Sequence, residues 1–141
     1  MKYFDDFEIG EKFTTKGRTI TEADIVMFAA FSGDWNELHT NAEYAKTGPF
    51  GERIAHGFLV LAASSGLMPL EEMAVLAFYG MDKVRFLGPT KIGDTLHVEM
   101  EVKEKQEKNE KSGVVSFKSS IKNQKKEDVA IFIMKLALHR K

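Results

Sequence analysis

Alternating apolar and polar positions in the second half of the chain predict a sheet. The stretches LHVEMEV and VVSFKSSI show partial alternation with a period of two, which is typical of strands that bury one face. Two further stretches, MDKVRFLGP and VAIFIMKLALH, bring the number of strand candidates to four. The polar links IGD, KNEKSG and KKED lie between the strands and suit turns. Consecutive strands joined by short links predict an antiparallel sheet.

The first half of the chain follows a different pattern, which predicts two helices. GRTITEADIVMFAAFSGD indicates a short strand and then a helix, with Thr21 as its N-cap and Gly33 as its end. IAHGFLVLAASSGLMPL is apolar on every side and too short to span a membrane, so it predicts a buried central helix. Residues 34–53, which lie between them, contain glycine and proline and predict a loop. The inner face of the first helix is expected to include Ile25, Phe28, Ala29 and Ser32.

The composition fits one globular domain over residues 1–141 and removes several classes of function. An apolar helix needs a sheet face to lie on, so an α+β fold with a sheet wrapped around one helix follows. The net charge is -1, which gives no basic field for nucleic acid or an anionic membrane. The absence of cysteine excludes disulfides and thiolate metal sites. MKYFDDFEIG lacks the order of a signal peptide, so a cytoplasmic location is expected.

The stretch SGDWNELH carries the first candidate chemistry. Asp34 and His39 are five positions apart, so they could not share one face of a continuous helix. A helix that ends at Gly33 would let the chain turn back and bring the two side chains together. An acid and an imidazole that contact one water can orient it and exchange protons with it. The alternative is that Asp34 caps a turn and His39 is a structural or surface histidine.

A second candidate lies at the start of the central helix. Gly57 would present a backbone N–H from the first turn, where such groups lack partners and the helix dipole is positive. This donor could stabilise a carbonyl oxygen that gains negative charge. Ser65 follows about two turns later and points to roughly the same side. The alternatives are close packing for Gly57 and a hydroxyl bonded to its own helix for Ser65.

Three stretches of the chain resemble a known family. FSGDWNELHTNAEYA resembles the signature of the MaoC-like (R)-specific enoyl-CoA hydratases, which have a hot-dog fold. RIAHGFLVLAASSGL and VRFLGPTKIGDTL are similar to that family's central helix and to its following strand and turn. The residues that match the signature are Gly33, Asp34, Asn36, Leu38 and His39.

The resemblance implies a site and a reaction. Asp34 and His39 would be the catalytic acid/base pair, and Gly57 N–H would bind the thioester oxygen. Ser65 and Asn36 would support the substrate site. The implied reaction is reversible addition of water to a trans-2-enoyl-CoA, with the coenzyme A thioester as substrate and with no cofactor or metal. Two units would pair, so a homodimer or larger homo-oligomer is expected.

Two other functions stay open, and one departure from the signature stands out. A hot-dog thioesterase would hydrolyse acyl-CoA, but the predicted central helix lacks the carboxylate or amide that such enzymes use. A non-catalytic acyl-CoA-binding protein would keep the pair without using it. Glu37 replaces the family's proline, which predicts a looser loop and an altered pH dependence. His56 is interpreted as a packing or supporting residue. The acyl pocket is expected to involve Phe50, Phe58 and residues 68–79.

Overall fold

The computed structural model describes all 141 residues and contains a six-stranded antiparallel sheet with four α-helices. The strand order is β1-β4-β5-β6-β3, and β2 also pairs with β4. This is the predicted antiparallel α+β architecture. No helix is both long and apolar enough to cross a bilayer. In chain order the elements are β1 (Lys12–Thr14), β2 (Arg18–Thr19), α1 (Glu22–Ser32), α2 (Glu37–Thr40), α3 (Ala42–Lys46), α4 (Gly57–Leu67), β3 (Val75–Phe86), β4 (Thr95–Glu107), β5 (Ser112–Lys122) and β6 (Asp128–His139).

Helix α4 is the predicted central helix, and one side of it is buried. That side belongs to the same hydrophobic core as the inward-facing side chains of β4, β5 and β6. The opposite side is open in the single chain, where Phe58 is 76% exposed and Ser65 also faces solvent. The prediction of a helix buried on every side is therefore wrong for one face. The buried residues of α4 are Leu59, Val60, Ala63, Ser64 and Leu67.

The boundaries of two regions differ from the sequence prediction. Strand β3 begins at Val75 rather than Met81, because an edge strand that is open on both faces does not show a clean alternation. Residues 34–53 were predicted as a loop but contain α2 and α3. The side chains of Asn36 and Asn41 cap these short helices, since their carbonyl oxygens accept from Leu38 N–H and Tyr44 N–H.

Helix α1 begins and ends where its sequence predicts. Thr21 and Asp24 form a reciprocal capping box, and Gly33 takes the left-handed conformation with φ 78°. Ile25 and Ala29 are buried as expected. Ser32 is exposed instead of lining the inner face, and its hydroxyl donates to the carbonyl of Phe28 at 2.7 Å. The end of α1 at Gly33 therefore determines where the loop that carries Asp34 begins.

The capping box predicts a pH-dependent contribution to stability. Burial acts to raise the pKa of Asp24, but hydrogen bonds from Thr21 and the nearby Arg18 guanidinium outweigh it and lower that pKa. A lowered pKa stabilises the fold above the unfolded value of roughly 3.9, and the stabilisation is lost as the pH falls through the folded value. Asp24→Ala should therefore reduce the free energy of unfolding at pH 7 by about 1 kcal/mol.

Urea unfolding at neutral and acid pH measures this effect, and the difference from wild type should shrink below roughly pH 4. Glu43→Gln is the control, because the Glu43–Lys46 ion pair is exposed and such pairs contribute little. An equal loss at both pH values in Asp24→Ala would contradict the assigned electrostatic origin.

Candidate active site

The turn after α1 brings Asp34 and His39 together. The chain reverses at Gly33 and enters α2, which carries His39 in its last turn. One carboxylate oxygen of Asp34, one ring nitrogen of His39 and one ring nitrogen of His56 lie within 4.8 Å of one another. The two residues therefore meet across a short loop, as the sequence predicts, and a third residue joins them.

The hydrogen bonds around the pair define which atoms remain available. His39 Nδ1 lies 2.8 Å from the carbonyl oxygen of Ile54. A carbonyl oxygen only accepts, so Nδ1 carries the proton and the neutral ring keeps its lone pair on Nε2. The Asp34 carboxylate accepts from Asn36 N–H at 3.1 Å and keeps further acceptor capacity. Two acceptors at this separation suit one bridging water, since each hydrogen bond to it spans roughly 2.8 Å.

Gly57 opens onto the same cavity as the pair. It is the first residue of α4, and its N–H donates no hydrogen bond within the chain, as expected for a first-turn group. A Cβ at this position would come within 3.0 Å of the Phe86 ring, so glycine lets that ring pack over the helix start. The cavity measures about 530 Å³. Its apolar wall includes Phe50, Ile54, Phe58, Val60, Phe86 and Val129.

Two predicted site residues do not line this cavity. The Ser65 hydroxyl donates to the carbonyl of Ala62 at 2.6 Å. The residue lies on the same helix as Gly57, but eight residues of axial rise place it roughly 12 Å away. Asn36 uses its side-chain oxygen to accept from Leu38 N–H at 3.0 Å, which caps α2. Within one chain, Asn36 therefore shapes the loop and Ser65 is remote from the pair.

The predicted acyl-pocket residues line the cavity only in part, and Glu37 lies outside it. Phe50 and Phe58 line it as predicted, whereas none of residues 68–79 does. The carboxylate of Glu37 accepts from the side-chain amide of Asn41 at 3.1 Å and does not line the cavity. The structure therefore shows no contact that would carry an effect of the Glu37 charge to the pair.

His56 is a more central residue than its sequence position indicates. Only 2% of it is exposed. Its Nε2 lies 2.9 Å from the backbone oxygen of Asp34, and its ring stacks on His39 with centroids 3.9 Å apart and planes inclined by 28°. The one sequence feature that could indicate a role for His56 is its position immediately before the predicted central helix.

The fold and this cavity together define a class of protein. An antiparallel sheet around a central helix, with an acid–imidazole pair at the helix start, is a hot-dog protein with a candidate hydration site. The model of the MaoC like domain matches residues 6–124, and the chain belongs to this family.

One curated relative carries the family name and another is named as a hydratase. The chain is 41% identical over 112 residues to Protein MaoC of Klebsiella aerogenes, which covers 79% of this chain and 33% of that protein. It is 36% identical over 96 residues to an (R)-specific enoyl-CoA hydratase of Rhodospirillum rubrum, which covers 68% of this chain and 66% of that protein. The match thus spans one third of the first relative and just under two thirds of the second.

Solved structures confirm the fold. The X-ray structure of a monoamine oxidase regulatory protein from Archaeoglobus fulgius superposes with a TM-score of 0.93 and 41% identity, covering 99% of this chain and 95% of that chain. A double-hotdog-fold protein of Mycobacterium tuberculosis has a TM-score of 0.88, with 99% of this chain and 44% of that chain covered. At 22% identity it supports the hot-dog architecture alone.

Proposed function

We propose that this protein is an (R)-specific enoyl-CoA hydratase, which adds water reversibly to a trans-2-enoyl-CoA and gives an (R)-3-hydroxyacyl-CoA. One observation carries the proposal: Asp34, His39 and Gly57 all line one cavity. The bond of His39 Nδ1 to the Ile54 carbonyl leaves Nε2 as the available ring nitrogen. Two acceptors suit a water, and a free backbone donor suits the thioester oxygen. The hydratase named among the relatives supports the same reaction.

The arrangement accounts for each proton in the addition. A water that donates to Asp34 and His39 presents its oxygen lone pair to C3 of the enoyl thioester. As the C3–O bond forms, one member of the pair takes a proton from the water, and the C2–C3 π electrons move toward the thioester oxygen. Gly57 N–H and the positive end of α4 stabilise that oxygen. A proton then passes from the pair to C2, so the pair ends as it began.

The same residues disfavour thioester hydrolysis. A thioesterase needs a carboxylate or an amide that directs water to the carbonyl carbon. Helix α4 (Gly57–Leu67) contains no Asp, Glu, Asn or Gln, and its first turn offers only backbone donors. Asp34 and His39 belong to a separate loop and short helix. The placement of the acceptors therefore supports addition at C3 over attack at the carbonyl.

We also infer that two copies pair along β3. This strand forms one edge of the sheet and has β6 on only one side. Leu76, Phe78 and Tyr79 are each more than half exposed, and a long apolar edge strand is a template for pairing with another chain. Phe86 ends β3 and lines the cavity. A second copy on this edge would consequently cover the mouth of the site.

The purified protein with crotonyl-CoA tests the reaction. Hydration should remove the enoyl absorbance without releasing free thiol. Release of thiol would indicate the thioesterase, and binding without either signal would indicate the non-catalytic alternative. Asp34→Asn and His39→Gln should each keep the fold and lower kcat/KM by about 10²–10⁴-fold, the usual size of acid/base catalysis. A folded variant with a near wild-type rate would remove that residue from the mechanism.

The role of the Gly57 N–H can be isolated with two substitutions. Proline is tolerated at the first helical position and removes the N–H, and His56 already has φ -58° and ψ 141°, which suits a residue before proline. Gly57→Ala adds a Cβ but keeps the donor, so it controls for contact with Phe86. We expect kcat of Gly57→Pro to be lower than that of Gly57→Ala by about 10²–10³-fold. Equal kcat values would contradict the assignment.

Sedimentation velocity tests the pairing along β3. The wild-type protein should sediment at twice the mass of one chain, or at a larger even multiple. Phe78→Lys should yield monomers, because it places a charge on the paired edge. Ile9→Lys is the matched control, since Ile9 is exposed and precedes β1 at the other edge of the sheet. A monomeric wild type would refute the pairing.

A further inference from the structure

One buried side chain contacts both members of the acid/base pair. His56 Nε2 lies 2.9 Å from the backbone oxygen of Asp34, and the His56 ring stacks on the His39 ring. The other face of this arrangement is closed by Phe28, whose ring meets His56 edge-on at 4.9 Å between centroids. The rotation of His56 is therefore restricted from several sides.

The hydrogen bond determines the tautomer of His56. The Asp34 carbonyl can only accept, so His56 Nε2 carries the proton. The neutral ring then has its lone pair on Nδ1, and this atom is buried without a hydrogen-bond partner. A buried polar atom without a partner is costly, so the chain retains this histidine against an energetic penalty. The same buried ring makes the hydrogen bond to Asp34 and the stack on His39.

His56 also belongs to the segment 54–57, whose residues contact several parts of the candidate site. The carbonyl of Ile54 accepts from His39 Nδ1, and Gly57 supplies the free N–H. Ala55 N–H donates to the carbonyl of Thr90 at 2.7 Å, which ties the segment to the chain between β3 and β4. His56 is the member that reaches across to the Asp34 loop.

We propose that His56 is a positioning residue that holds the Asp34–His39 pair at a fixed distance from the Gly57 N–H. It does so through the Nε2–H bond to Asp34 and the stack on His39. The inference rests on the proposed hydratase function, because the pair and the N–H must act on two ends of one enoyl thioester. Loss of such positioning costs turnover rather than binding, since a displacement of about 1 Å can lower a rate by roughly 10²-fold.

Three substitutions separate the features of His56. His56→Gln places an amide N–H near the position of Nε2 and lacks the ring. His56→Phe keeps a ring for the stack and lacks the donor. His56→Asn is polar but too short to reach the Asp34 carbonyl. His97→Gln is the control for a histidine substitution elsewhere, since His97 lies on β4 and pairs with Glu99.

Steady-state hydration of crotonyl-CoA is the main measurement. We expect His56→Asn, which lacks both features, to lower kcat by about 10²-fold with KM nearly unchanged. His56→Gln and His56→Phe each keep one feature and should each recover about 10-fold of that loss. His97→Gln should match wild type. A loss of kcat that is equal in all three His56 variants, or that follows only the folded fraction measured by circular dichroism, would overturn the proposal.

A second measurement does not depend on activity. Long-range proton–nitrogen NMR correlations of the imidazole rings should show His56 protonated at Nε2 and His39 protonated at Nδ1. His56 protonated at Nδ1 would overturn the proposal even if the wild type hydrates crotonyl-CoA. A wild type with these tautomers but no hydration would instead refute the proposed reaction and leave the positioning geometry in place.

Discussion

Burial of one side of helix α4 against the sheet is the interaction on which the site depends. Leu59, Val60 and Ala63 lie in the core shared with the sheet, and full burial of a Val or Leu side chain stabilises a fold by about 1.5–3 kcal/mol. This packing sets the rotation and the height of the helix. Gly57, whose N–H is unpaired, consequently lies beside a cavity rather than in the core, where an unsatisfied donor would be costly.

The parts of the fold that the sequence predicts are those in which one local signal dominates. Strands β4, β5 and β6 have one face in the core, so their alternation is visible, and the capping residues Thr21 and Gly33 define α1. Strand β3 was placed too late because its apolar residues face outward along an edge, where burial within one chain imposes no alternation. Helices α2 and α3 were missed because glycine and proline in residues 34–53 outweighed the weaker capping signals of Asn36 and Asn41.

The site was predictable where chain direction alone determines proximity. A helix that stops at Gly33 predicts the approach of Asp34 and His39, and the start of a helix predicts the free N–H of Gly57. The spacing of Ser65 predicts the side of the helix that it shares with Gly57, but the axial rise over eight residues places the two far apart along the helix. The contacts of His56 depend on how α4 meets the Asp34 loop, and no spacing within the sequence contains that information.

Residues 54–57 hold three fixed points of the site on four consecutive positions: a carbonyl at Ile54, an imidazole at His56 and an N–H at Gly57. Their separation is set by peptide geometry, which does not stretch. The preceding turn, residues 47–52, is largely exposed. Insertions or deletions in that turn would therefore move Phe50 on the cavity wall but leave these three groups at the same spacing, whereas one inserted residue between His56 and Gly57 would separate the His56 ring from the Gly57 N–H. The geometry of the candidate site therefore depends on a covalent spacing along the chain.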